Sequence, residues 1–262
     1  MDRDALLHLY DTRLRVGAET AGGRPVARVG PLHLVAFPGG WGFVTYADLA
    51  GADRETLDRW ADEVLARFRA APEVTDVEWK TRGHDHAPDL PAVLTEHGFV
   101  AGEVESVMLG PAGALAVDVP LPDGVTVRRV TDEADVRAMS AMADRVFGDP
   151  VSDRRADDLL VRLAAGTGAE AWVAEADGGM VSAGRLEPVP GTEVAGIWGG
   201  CTVPHWRGRG VYRAVTAARA RSALAQGRTV LHSDSTEGSR PILERSGFVR
   251  VTTTTPYEWT RP

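Results

Sequence analysis

The sequence predicts an α/β (mixed α+β) fold in two related halves, and three observations carry that reading. Strand-like and helix-like stretches alternate along all 262 residues. Pro38-Gly39-Gly40 and Asp177-Gly178-Gly179 each join two apolar runs, which is a hairpin signal. Leu94-Thr-Glu-His-Gly-Phe-Val100 returns as Leu243-Glu-Arg-Ser-Gly-Phe-Val249, each copy after a strand and a short helix and before a terminal strand. A repeat set in the same order of elements points to duplication.

The first half is taken as residues 1–110. Asp2 to Val16 predicts a helix, with Leu6, Leu9 and Tyr10 at helical spacing, and Gly22-Gly23-Arg24-Pro25 breaks it. Strands are expected at 26–29, 32–37 and 41–46. Leu57, Trp60, Val64, Leu65 and Phe68 lie on one side of a helix over 53–70. A strand at 74–79, a helix over 88–97 stopped by Gly98, and a strand region at 99–109 complete this half. Residues 111–124 are rich in Pro, Gly and Ala and are expected to form a linker.

Residues 125–262 form the second half. A strand at 125–130 leads to helices at about 132–147 and 153–165. The hairpin at 171–175 and 180–186 follows. Then come a strand at 194–203, a loop of alternating Arg and Gly, and a helix over 211–225 with Val211, Ala214, Val215 and Ala218 on one face. A strand at 229–233, a helix over 238–246 and strands in 248–260 close the chain.

Composition narrows the function. No segment approaches the roughly 20 apolar residues of a membrane span. The start, Met-Asp-Arg-Asp, has acids where a signal peptide needs a basic region, so a cytoplasmic protein without a membrane partner is expected. Cys201 is the only cysteine, which excludes an internal disulfide and a cysteine-cluster zinc site. His84 and His86, flanking Asp85, lie in a predicted turn without a third ligand, so no metal is expected. Lys80 is the only lysine among 29 basic residues, a composition typical of a GC-rich bacterial genome.

The net charge is −8 and it is unevenly spread: residues 1–118 hold 11 basic and 19 acidic groups, residues 119–262 hold 18 of each. The overall acidity argues against nucleic acid as a partner. No Asp or Glu occurs from Val194 to Ser233, a window with arginines at 207, 209, 213, 219, 221 and 228. A local positive field there favours an anionic ligand.

The loop Arg207-Gly208-Arg209-Gly210 stands at the centre of that window, between a strand and a helix start. Glycines let successive backbone N–H groups converge on one point, and a helix N-terminus adds unpaired donors and partial positive charge. Arg207 and Arg209 can add charge-assisted hydrogen bonds. The loop lacks the Gly-Lys-Ser/Thr ending of a nucleotide-binding P-loop. Gly196, Gly199 and Gly200 inside the preceding strand mark a bulge or the close approach of a ligand.

Strand, Val203-Pro204-x-x-Arg207-Gly208-Arg209-Gly210, long helix, strand, and a helix ending in Leu243-Glu-Arg-Ser-Gly-Phe248 resemble the GNAT superfamily of N-acetyltransferases over residues 125–262. Arg207, Gly210 and Tyr212 stand at the three fixed positions of its Arg/Gln-x-x-Gly-x-Gly/Ala signature; Tyr212 departs from the usual small residue and must turn away from the phosphates. The resemblance implies two GNAT-like domains, each a mixed, mostly antiparallel twisted sheet flanked by helices, with acetyl-CoA as cosubstrate of the second. It implies a pyrophosphate held by Arg207, Gly208, Arg209, Gly210, Val211 and Tyr212, and a pantetheine arm along Cys201, Thr202 and Val203. A backbone N–H at that edge would polarise the thioester carbonyl. The first half has Asp48, Asp53 and Glu55 before its matching helix; these acids stabilise the helix start and repel a pyrophosphate. It is expected to bind no CoA and to serve as a wall of the substrate cleft.

Direct attack by an amine needs a base, an oxyanion site and an acid. Candidate bases are Glu193, at the start of the fourth strand, and His232, with Asp234 two residues on along the fifth; a water relay is the alternative. The family often places an acid tyrosine where this chain has Leu243, which leaves Tyr212 and Ser239 as substitutes. Cys201 reads as a buried strand residue rather than a nucleophile. Trp198 and Trp206 line a channel or fill the core. The expected activity is acetyl transfer to a primary amine of a small molecule or peptide, by a monomer or homodimer. A mycothiol-synthase-like transferase, an aminoacyl transferase and a non-catalytic acyl-CoA sensor are the alternatives.

Overall fold

The computed structural model describes residues 1–262, and the chain divides into two compact units. The first comprises Met1–Met108, Asp234–Pro241 and Arg250–Pro262; the second comprises Leu109–Ser233 and Ile242–Val249. No helix is long and apolar enough to cross a membrane.

In the first unit α1 (Arg3–Leu9) opens on Asp2, whose carboxylate accepts the Ala5 N–H, and runs into one wider turn, Tyr10–Leu14. Strands β1 (Arg24–Val29), β2 (Leu32–Phe37) and β3 (Trp41–Thr45) form an antiparallel meander. Helix α2 (Arg54–Arg69) then crosses over to β4 (Asp76–Arg82), which runs parallel to β3. Helix α3 (Leu90–Glu96) and the short β5 (Val100–Ala101) follow, and β6 (Glu105–Pro111) leaves the unit. The buried face of α2 presents Leu57, Ala61, Val64, Leu65 and Phe68 to the sheet.

The second unit starts with the turn of helix α4 (Ala112–Leu115), then β7 (Thr126–Val130), α5 (Glu133–Phe147) and α6 (Arg154–Ala164). Next come β8 (Glu170–Ala176), β9 (Gly179–Pro188), β10 (Val194–Thr202), α7 (Val211–Ala225) and β11 (Val230–Ser235). β7, β8, β9 and β10 are antiparallel neighbours, while β10 and β11 run parallel. One face of this sheet packs Ala171, Val173, Ala183 and Cys201 against α5 and α6; the other packs Ala174, Ala176 and Val181 against Val211 and Val215 of α7.

Two expectations about boundaries meet a different partition. The last strand, β12 (Val249–Thr260), was expected to complete the domain 125–262, yet residues 250–262 belong to the first unit. The reason is pairing and burial: β12 is antiparallel to β4 from Thr254↔Arg82 to Thr260↔Asp76, and it puts Tyr257 and Trp259 into the first core. The segment 111–124 is not a free tether. Ala112 and Leu115 are buried, Ala112 donates its N–H to the Thr229 carbonyl, and Arg221 of α7 donates to the Val117 carbonyl.

The repeated sequence has one local cause in both copies. Gly98 and Gly247 take left-handed φ values of 85° and 84°. The next N–H, of Phe99 or Phe248, then closes back on the carbonyl of Leu94 or Leu243, at 3.0 Å in each case. The second copy closes α8 (Arg240–Arg245). Glycine carries no Cβ penalty in this conformation, which is why it ends both helices.

Candidate active site

The site begins where two parallel strands part. β10 pairs with β11 at Val194↔Val230, Ala195↔Leu231 and Gly196↔His232, and then continues to Thr202 without it. Towards β9 the pairing of β10 persists, interrupted between Trp198↔Arg185 and Cys201↔Ala183. There Gly199 and Gly200 oppose the single residue Gly184, a bulge that Gly199 accommodates at φ 59°. Val203 sends its N–H to the Val181 carbonyl of β9. Alternation turns the N–H group of Thr202, next to Val203, the other way, towards the opening.

Beyond the strand, a turn at Pro204–Trp206 leads into the Arg/Gly loop. Gly208 and Gly210 adopt φ values of 74° and 82°, in the left-handed region. At Gly210 the demand for glycine is conformational, since a Cβ there would meet its nearest neighbour, the Pro120 carbonyl oxygen, only at 3.4 Å. Gly210 is the N-cap of α7 and no side chain caps the helix. The N–H groups of the first turn therefore remain available, with the positive end of the helix dipole behind them.

Arg207 donates from Nε to the Thr202 carbonyl at 3.0 Å, which fixes the loop to the strand end. Arg209 stacks its guanidinium over the Trp206 ring at 4.9 Å, and Trp206 is itself buried. The two arginines thus hold the loop in place as well as charging it.

No family model and no curated protein matches the sequence. Solved structures do match the fold. A GCN5-related N-acetyltransferase from Kribbella flavida superposes with a TM-score of 0.66 at 19% identity, over 92% of this chain and 93% of that one. A GCN5-related N-acetyltransferase from Sphaerobacter thermophilus gives 0.63 at 15% identity, over 94% and 84%. A tandem GNAT protein from the clavulanic acid biosynthesis pathway gives 0.57 at 14% identity, over 99% and 96%. The chain has the GNAT fold.

On this GNAT fold the glycines of β10 have tasks that the sequence left open. A Cβ at Gly196 would meet the Trp198 ring at 2.2 Å, and one at Gly200 would meet the Tyr212 ring at 2.8 Å. Both positions make room for the chain's own aromatic side chains. Tyr212 thus turns back onto the strand. Trp198 lies edge-on to His232, with ring centroids 5.0 Å apart.

The expected site residues separate into groups. Cys201, Thr202 and Val203 end β10 beside the opening, and Arg207 to Tyr212 form the loop and first helical turn. His232 is buried at the last pair before the strands part. Glu193 is exposed and lies just before β10, where its carbonyl accepts the N–H groups of Thr229 and Val230. Asp234 is bonded at 2.6 Å to Lys80. Cys201 is buried with its sulfur 3.9 Å from that of Met142, and burial pushes its thiol up to about 11, against any nucleophilic role. Leu243 is fully buried, and Ser239 spends its hydroxyl on the Thr236 carbonyl. His84 bridges Thr252 and Asp11, and Asp85 accepts from Tyr46 and Arg15, so this turn is part of the packing. No cluster of three or more His, Cys, Asp or Glu is placed to hold a metal ion.

Arg219 is the residue that sequence reasoning passed over. It is 1% exposed, on the inner face of α7. It donates to the carbonyls of Arg185 at 3.1 Å and Trp198 at 3.4 Å, and to Thr216 Oγ1 at 3.0 Å. A Cβ at Gly184 would collide with its guanidinium at 2.5 Å. The only sequence signal was a glycine in β9 with no turn to explain it.

Proposed function

We propose that the chain transfers an acetyl group from acetyl-CoA to a primary amine of a small molecule or peptide by direct attack. The observation that carries this reading is the parting of β10 and β11 after Gly196↔His232, followed by a glycine loop and an uncapped helix start. An opening edged by backbone donors suits an amide-bearing pantetheine arm, and the loop and first turn of α7 suit a pyrophosphate. Thr202 and its neighbours Cys201 and Val203 would hold the arm; Arg207, Gly208, Arg209, Gly210, Val211 and Tyr212 would hold the phosphates. Bound there, acetyl-CoA supplies an acetyl group activated as a thioester.

The chain's own groups then divide the remaining work. A backbone N–H at the edge of β10 polarises the thioester carbonyl and holds the negative charge that develops on its oxygen. His232 stands beside the opening and takes a proton from the attacking amine, a task suited to imidazole near neutral pH. Glu193, exposed and outside β10, is the less favoured base.

The fully buried Leu243 favours a second reading, an acyl-CoA sensor without turnover, because α8 offers no acid there. One experiment covers both. Isothermal titration with acetyl-CoA is run on the wild type and on the double variant Arg207→Ala/Gly210→Glu, followed by a thiol-release assay over a panel of primary amines. Binding by the wild type alone, with amine-dependent thiol release, is expected. Equal binding by both proteins would sink the cofactor assignment; binding without release across the panel would favour the sensor.

A further inference from the structure

A thioester exchange leaves a thiolate that needs a proton, and α8 supplies none at Leu243. The neighbourhood of the β10 bulge holds one candidate. Tyr212, on the first turn of α7, folds its ring onto Gly200: a Cβ built there would lie 2.8 Å from the ring edge and 3.3 Å from the hydroxyl oxygen. Gly200 belongs to the bulge of β10, beyond the last pair of β10 with β11. The phenol therefore stands at the strand along which the thioester lies in the proposed reaction.

The surroundings of that phenol are unusual. Arg219, seven residues further along α7, reaches the same bulge: a Cβ at Gly184, opposite Gly199 and Gly200, would lie 2.5 Å from its guanidinium. Its guanidinium bonds to the Trp198 and Arg185 carbonyls and Thr216, and forms no ion pair with a carboxylate. The segment from Val194 to Ser233 contains no acid at all. A buried cation that lacks a counter-ion favours any nearby group that becomes negative. The same guanidinium fixes the carbonyl of Trp198, where the bulge begins, so the phenol and the strand are held in one frame.

We infer that Tyr212 is the acid of the reaction, donating its phenolic proton to the departing thiolate, and that Arg219 is the positioning residue which holds the bulge and steadies the phenolate. The inference rests on the acetyl-transfer reading. The bookkeeping is closed: the amine nitrogen bonds to the acetyl carbon, the C–S bond breaks with its electron pair going to sulfur, and the Oη proton moves to that sulfur. The proton lost by the amine goes to His232, and solvent exchange restores both groups. The large residue at a signature position that is usually small thus acquires a reason: it brings from α7 the hydroxyl that α8 lacks.

The test is Tyr212→Phe in the full chain, which keeps the ring against Gly200 and removes only the hydroxyl. Acetyl-CoA affinity by titration and steady-state thiol release with an amine that the wild type accepts are measured together. The expected result is a Kd within about twofold of wild type and a kcat lower by about 100-fold, in the range of a lost general acid. A kcat within twofold of wild type would overturn the inference, as would a weakened Kd that accounts for the whole loss, since that marks a packing role. If the wild type itself binds acetyl-CoA and releases no thiol, it is the acetyl-transfer reading that fails.

Discussion

The two parallel strand pairs of this chain start alike and end differently. In the first unit β3 and β4 pair from Trp41↔Asp76 to Val44↔Trp79. Beyond that point the chain fills the space with its own polar side chains. Arg82 donates to both oxygens of Glu19, at 2.5 and 2.6 Å, and to Thr45 at 3.1 Å; Arg15 donates to the Tyr46 carbonyl. Lys80 adds a contact to Glu19 at 3.7 Å. In the second unit β10 and β11 part after Gly196↔His232, and aromatic rings, those of Trp198 and Tyr212, lie over the glycines of β10 there. The helices that follow repeat the contrast. Asp53 caps α2 by accepting the Thr56 N–H, whereas α7 starts at Gly210 without any side-chain cap. The same strand–loop–helix unit thus has its helix start closed by a side chain in one half and left uncapped in the other.

The largest effect that probes this contrast comes from unplugging the first unit. Glu19→Gln leaves the fully buried Arg82 guanidinium without its carboxylate. Breaking a buried pair in this way costs about 3 kcal/mol, and urea unfolding should show a loss of that size. The variant should gain no second equivalent of acetyl-CoA in titration, because Asp53 still caps α2; a second equivalent would show that the plug alone distinguishes the halves. An acid-side change belongs to the same ion pair. Burial opposes ionisation of Glu19, yet Arg82 and Lys80 outweigh it and hold the carboxyl below its ordinary value. Its contribution is present at neutral pH and fades as pH falls through that lowered value.

A smaller effect of opposite sign comes from two carboxyls of the first unit. Burial, with neighbouring acids, raises Glu78 and Glu105 to about 7. Between the ordinary glutamate value of about 4.3 and 7 the folded state binds more protons than the unfolded state, so stability falls as pH rises through that window. Melting temperatures from pH 5 to 8 should show this decline, and the double variant Glu78→Gln/Glu105→Gln should flatten it. An unchanged slope in the double variant would assign the decline to other groups.

The smallest effect concerns the second unit's cysteine. With its thiol raised to about 11 and buried against Met142, Cys201 should resist iodoacetamide at pH 8 in the folded protein and react once urea unfolds it. Rapid labelling of the native chain would mean that this end of β10 is open from both sides.

Much of this was legible in the residues themselves. The elements follow from apolar periodicity and from the glycines that stop helices, because these act over a few residues. The loop at 207–210 was legible for the same reason: left-handed φ at Gly208 and Gly210 and the helix behind them are local properties. The partners of side chains were not. Asp234 promised to tune His232 through strand alternation, yet a lysine 154 positions away holds its carboxylate. Gly196 and Gly200 suggested a ligand's approach, and they admit Trp198 and Tyr212.

The sequence by itself therefore determined the repeated motif, the glycine loop before a helix and the absence of a tyrosine at Leu243. Each rests on residue type and spacing, which neighbours along the chain enforce. Only the tertiary structure decided that β12 completes the first unit, that the first opening is plugged by Glu19 and Arg82, and that Arg219 lies buried beside Tyr212. Those choices depend on which distant groups satisfy one another once water is excluded, and no local pattern encodes that.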